Sequence, residues 1–152
     1  DRARPAMTEL QQRTVACDAI IDTYHAGIAD VEKLMHLRRD LAVNFYHLTD
    51  HAKDIHGQAG LTYIARKYRI AESIVDARAN DTKVAMNMLE QQAQKMPSVK
   101  NAQEAEVWAE AEREAFKVKV DAIKQVLQSM QQEISHLSFE HRTTHFHTNN
   151  GN

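Results

Sequence analysis

From Cys17 to Ile55 apolar residues recur every seven positions in three interleaved registers. Cys17, Tyr24, Val31, Phe45 and Ala52 form one, interrupted by Arg38. Ile21, Ile28, Met35 and Ala42 form a second, and Ile20, Leu34, Leu41, Leu48 and Ile55 a third with Gly27 as its gap. Side chains seven apart on a helix lie nearly above one another, so the registers merge into one broad apolar stripe. It is wider than the two-position seam of a simple coiled coil, so at least two other helices must cover it. With no Pro inside, the pattern predicts one helix of about 45 residues and roughly 70 Å. An element that long in a chain of 152 residues implies an elongated molecule or an obligate oligomer.

The rest of the chain reads as helix too. Only four Gly and two Pro occur, where average usage would supply about 7% and 5%, and helix formers such as Ala, Glu, Gln, Lys, Met and Leu dominate. The fold class is all-α, in one domain spanning 1–152. Residues 1–8 (DRARPAMT) read as a lead-in, with Thr8 placed to cap the first helix and Gln11 at the capping-box position. That helix is expected to run to about His56, where Gly57 and Gly60 in HGQAG supply the stop. A second helix starts at about Leu61, with Leu61, Ile64, Tyr68, Ala71 and Val75 at alternating spacings of three and four. It weakens through DARANDTK (76–83) and resumes at Val84, Met88 and Leu89.

KMPSVKN (95–101) is the strong internal breaker, because Pro97 disfavours helical geometry at Met96; Ser98 or Asn101 is placed to cap the next helix. This third helix carries Phe116, Val120, Ile123, Leu127, Met130, Ile134 and Leu137 on one face and Glu104, Glu106, Glu110, Glu112 and Glu114 on another. Residues 141–152 (HRTTHFHTNNGN) are expected to form an irregular tail.

The formal net charge of −2 supplies no bulk basic field, so no nucleic-acid partner is expected. The single Cys17 excludes an internal disulfide and reads as a small buried hydrophobe. No apolar run approaches the roughly 18 residues of a membrane span. Catalytic signatures are missing: no phosphate-binding Gly-rich loop, no nucleophile motif, no Ser/His/Asp arrangement. The chain is therefore read as a non-enzyme without a cofactor. His47, His51 and Asp54 at i, i+4 and i+7, and His141 and His145 with His147 nearby, have spacings that could ligate a metal in a helical bundle. Carboxylate–histidine motifs on several facing helices are lacking, so no metal site is assigned. Charge is uneven: 61–96 carries six Lys/Arg against four acids, and 97–140 five against eight. ARKYR, with Arg66, Lys67 and Arg69 around Tyr68, is the best local candidate for contact with an anionic surface.

LRRDLAVNFYHLTDHAKDIHG (37–57) resembles the end of the first helix of the BAR domain in sorting nexins: a basic pair, a Leu–Ala step, an aromatic and a closing Gly. The stretch 60–89 is similar to the start of that family's second helix, and 95–137 to its connector and third helix, with a Lys/Pro breaker, an Ala/Glu-rich opening and a Trp before the heptads. The resemblance implies three long amphipathic helices in an antiparallel coiled-coil arrangement, paired into a six-helix dimer. It implies a scaffold that senses or imposes curvature on anionic, phosphoinositide-containing endosomal membranes during protein sorting, cytoplasmic and peripheral. Membrane contact would fall to Arg66, Lys67, Arg69, Arg78 and Lys83. The core and dimer interface would be Ile21, Tyr24, Ile28, Val31, Met35, Phe45, Phe116, Ile123, Leu127, Met130 and Ile134. The partner would be a second copy or a related helical protein. The second helix here is shorter than the family's, so its charged tip contacts do not carry over. Two alternatives stand beside this reading: a helical interaction or adaptor module with no membrane role, and a His-rich metal-binding four-helix bundle.

Overall fold

A computed structural model describes residues 6–149, with side chains through Thr143. Five helices run in order: α1 (Glu9–His25), α2 (Val31–Thr49), α3 (Ala52–Asn80), α4 (Met86–Gln94) and α5 (Pro97–Asn149). No strand occurs among the described residues, and the protein is all-α.

The expected single first helix is instead α1, α2 and the opening of α3. Thr8 starts α1 as anticipated: its hydroxyl accepts from the Gln11 backbone N–H at 3.2 Å, and the Gln11 side chain accepts from the Thr8 backbone N–H at 2.9 Å. Gly27 ends α1. It takes φ 98°, the left-handed geometry that closes a helix and that Gly adopts without a Cβ clash, and its N–H reaches the Tyr24 carbonyl at 3.1 Å. Asp30 then restarts the chain, its carboxylate accepting from the Glu32 N–H at 2.9 Å. A second interruption falls at Asp50 and His51, where the Thr49 hydroxyl donates to the Tyr46 carbonyl at 2.8 Å and competes for the helix's own acceptor.

Gly57 and Gly60 do not stop anything. Among the described residues only Gly27 has positive φ, and both of these lie inside α3. A helix tolerates such glycines at about 1 kcal/mol each relative to Ala. The weak stretch stays helical to Asn80; the chain turns at 81–85, where the Asp81 carboxylate accepts from the Lys83 N–H at 3.0 Å. The breaker at 95–101 yields a two-residue interruption, and Pro97 occupies the first turn of α5, where its missing N–H costs nothing. Ser98 and Asn101 lie within α5 rather than capping it. In place of an irregular tail, α5 continues to Asn149, since nothing in HRTTHFHTN breaks a helix. Residues 1–5 of the expected lead-in and 150–152 of the expected tail lie outside the described residues.

The chain divides into two compact units, Asp1–His51 with Val118–Asn152, and Ala52–Lys117. In the first, α1 and α2 pack antiparallel, tied by Arg13 donating to Asn44 at 3.1 Å. The later part of α5 lies with them. Lys119 pairs with Asp18, the Tyr24 hydroxyl donates to Glu133 at 2.9 Å, and Arg38 Nε donates to the Leu127 carbonyl at 3.3 Å. The core of this unit is Cys17, Leu34, Leu41, Leu48, Ile123, Met130 and Ile134. One heptad register thus supplies its spine: Leu34, Leu41 and Leu48 are fully enclosed, whereas Met35 of the neighbouring register is 53% exposed. Arg38, which interrupts a register, has its guanidinium on a helix carbonyl instead.

The second unit is a helical hairpin. α4 packs on α3, and the opening of α5 runs back along α3, bringing Glu106 to Arg66. Its core is small: Ile55, Ala59, Leu89, Ala93, Val99 and Ala109.

Candidate interaction surface

The five basic residues proposed for an anionic surface all belong to the hairpin unit, and most are engaged within it. Arg66 forms an ion pair with Glu106, both largely shielded from solvent. Arg69 meets Glu72 at 2.9 Å, one turn along α3. Arg78 donates to the Thr82 carbonyl at 3.3 Å. Lys67 is exposed, its ammonium 4.8 Å from the centre of the Tyr63 ring; the Arg66 guanidinium lies over the same ring at 5.4 Å. Lys83 is exposed in the turn before α4. Lys67 and Lys83 keep an outward positive charge, whereas Arg66 and Arg69, two of the three cations of ARKYR, are paired with Glu106 and Glu72.

The residues expected in the core or dimer interface divide. Ile123, Met130 and Ile134 are buried; Ile21, Tyr24, Ile28, Val31, Phe45, Phe116 and Leu127 are half-buried; Met35 is exposed. In the first unit, burial pushes the Cys17 thiol up from its ordinary value of 9.0, and the Asp18 carboxylate adds to the rise. Burial likewise raises Tyr24 above 10.0, helped by its hydrogen bond to Glu133. A protonated buried thiol is a poor nucleophile, so Cys17 acts as packing.

No metal-ligating arrangement forms among the described residues. His47 closes α2 and His51 sits in the turn after it, so the i, i+4, i+7 spacing with Asp54 is not carried on one helix. The one Glu-x-x-His of the sequence is Glu133–His136, and its members face other partners, Tyr24 and Glu140. Among the described residues no group of three or more His, Cys, Asp or Glu could hold a metal ion. The side chains of His145 and His147 lie outside the described residues. No helix among the described residues is long and apolar enough to cross a membrane.

One surface of the hairpin leaves a row of apolar side chains uncovered. On α3 the periodic residues Leu61, Ile64, Tyr68 and Val75 are 62%, 62%, 63% and 66% exposed. They lie on the far side of the helix from Ala59, Arg66 and Ala77, which face the rest of the hairpin. Gly57 and Ala71 fall in the same stripe, and a Cβ at Gly57 would touch nothing of this chain. A second stripe runs along the opening of α5 through Trp108, Ala111 and Ala115, all exposed, on the far side from Glu106 and Arg113. Sequence periodicity identifies the α3 stripe but does not say whether its own chain covers it. It masks the α5 stripe, because Ala111 carries little apolar weight and the stronger Phe116–Leu137 pattern runs along the same helix. No family model, curated protein or solved structure matches this chain.

Proposed function

We propose that the chain is a helical interaction module, joined to its partner through the outer stripes of the hairpin unit. The observation that carries this reading is the α3 stripe, Leu61, Ile64, Tyr68 and Val75, spaced as a helix–helix seam and left in solvent by its own chain. Isolated exposed apolar residues are ordinary, but a contiguous, periodic row marks a surface awaiting a partner. An exposed Trp108 beside small alanines fits the same role, since aromatic anchors dominate interface energetics. The test is the mass in solution, with and without Leu61→Asp plus Ile64→Asp. Assembly in the parent and its loss in the variant support the reading; a parent that is a single chain at every concentration refutes it.

A second reading is a BAR-type dimeric scaffold on anionic endosomal membranes. What favours it is the outward charge of Lys67 beside Tyr63, with the Arg69 guanidinium over Tyr68 next to it, a basic–aromatic edge of the kind that meets lipid head groups at about 1 kcal/mol per Lys or Arg. Cosedimentation with phosphoinositide-containing vesicles at low and high salt tests it. Salt-sensitive binding lost in Lys67→Glu supports the scaffold, and protein left in the supernatant at low salt removes it.

A further inference from the structure

The two outer stripes of the hairpin face opposite ways. The α3 stripe points away from α5, and the stripe that starts at Trp108 points away from α3. They also differ in kind. The α3 stripe is bulky, with Leu61, Ile64 and Tyr68, while the α5 stripe is small at its middle, with Ala111 and Ala115. The α3 stripe is edged by Lys67, which is exposed, and the α5 stripe by Glu112 and Glu114, also exposed. Each stripe is therefore a poor match for itself, in size and in charge, and a good match for the other.

Laid antiparallel, they interdigitate. With Tyr68 over Ala111, the same register sets Ile64 over Ala115 and Ala71 under Trp108, and it brings Lys67 to the flank that carries Glu114. Tyr68, Ile64 and Trp108 each then meet an alanine, as close packing requires, and the flanking charges attract.

Resting on the interaction-module reading, we infer that the partner is a second copy of this chain, and that α3 of one copy packs antiparallel on α5 of the next. The contact is heterologous: each copy offers one stripe as donor surface and the other as acceptor. A heterologous contact does not end at two subunits. It closes into a ring if the rotation allows, and otherwise grows as an open series.

The experiment uses two complementary variants of the full chain. One breaks the α3 stripe (Leu61→Asp with Ile64→Asp) and leaves α5 intact. The other breaks the α5 stripe (Trp108→Asp with Ala115→Asp) and leaves α3 intact. All four positions are exposed, so helicity should be kept and is checked by circular dichroism. Leu61→Gln with Ile64→Gln provides a milder version of the first. Mass is followed by light scattering over a wide range of concentration.

The parent is expected to grow past the mass of two chains. Each variant alone is expected to stay at the mass of one chain, and an equal mixture to double to two chains and no further. In that mixture, Lys67→Glu on the chain with the intact α3 stripe should weaken the complex, and Glu114→Lys on its partner should restore it. A variant that still pairs with itself, or a mixture that fails to pair, overturns the head-to-tail arrangement while leaving the stripes as the interface. A charge pair that cannot be rescued overturns the antiparallel register. A parent that never assembles, or variants that assemble like the parent, overturn the interaction-module reading and this inference with it.

Discussion

In the first unit the seven-spaced leucines Leu34, Leu41 and Leu48 are fully enclosed by their own chain, whereas in the hairpin the equally periodic Leu61, Ile64, Tyr68 and Val75 stand more than three-fifths in solvent. The first unit buries residues of three helices, with Cys17 of α1, Leu41 of α2 and Ile123 and Met130 of α5 all enclosed. The hairpin has a thin core. Three of its six buried apolar residues are alanines, and the inward faces of α3 and α5 carry Thr62, Arg66, Glu106 and Arg113, the last with its Nε buried and unpartnered. A heptad rhythm therefore establishes that a helix face has to be covered. Whether its own chain covers it depends on how many helices are nearby, and a two-layer hairpin has one covered face per helix.

The sharpest way to break this contrast is a matched pair of truncations. Leu41→Ala in the first unit is expected to cost about 2–5 kcal/mol, the range for removing a fully buried leucine and leaving a cavity. Leu61→Ala in the hairpin should change the stability of the single chain by no more than about 0.5 kcal/mol, as at other exposed sites. Urea denaturation at a concentration too low for assembly measures both; equal losses would erase the distinction between the two faces.

The glycines sharpen it further, with opposite signs. Gly27→Ala places a Cβ in left-handed backbone and is expected to destabilise the first unit by about 1–2 kcal/mol. Gly60→Ala sits in ordinary helix with nothing within 4 Å of the new carbon, and is expected to stabilise the hairpin by about 0.4–1 kcal/mol. Thermal melts of the two variants give the comparison directly.

The smallest effect is on pH and belongs to the first unit alone. Cys17 and Tyr24 hold their protons more tightly in the folded chain than in the unfolded one. The stability they contribute is complete below about pH 9 and drains away as pH rises through the folded values. Cys17→Ala lowers stability at neutral pH by opening a cavity, yet should show a shallower alkaline decline than the parent. An identical slope in the two proteins would show that the thiol takes no part.

Local chemistry is the part of this fold that can be read from the sequence. Thr8 with Gln11, Pro97 after Met96, Cys17 on an apolar face and the Ile123–Met130–Ile134 row each sit where their own neighbours dictate. The glycines are harder to tell apart, because Gly27, Gly57 and Gly60 carry the same chemical freedom. Context separates them: HAGIAD pairs its glycine with a capping Asp30, whereas Gly57 and Gly60 lead directly into another helix-forming run. That distinction is visible in the sequence, but the heptads on either side of Gly27 keep their phase across it and hide the break. The interruption at Asp50–His51 has no Gly or Pro to announce it. The basic residues of α3 are legible as charges but not as partners, since Glu106 lies forty positions from Arg66 in sequence.

The polar seam inside the hairpin has a consequence for exchange with solvent. A hairpin held by an ion pair and a core of six residues, three of them alanines, is expected to open its backbone amides more readily than the first unit does. Covering the outer stripes would tighten the same helices from outside, so deuterium uptake along α3 should slow as the protein is concentrated, while uptake at Leu41 stays indifferent to how many molecules share the tube.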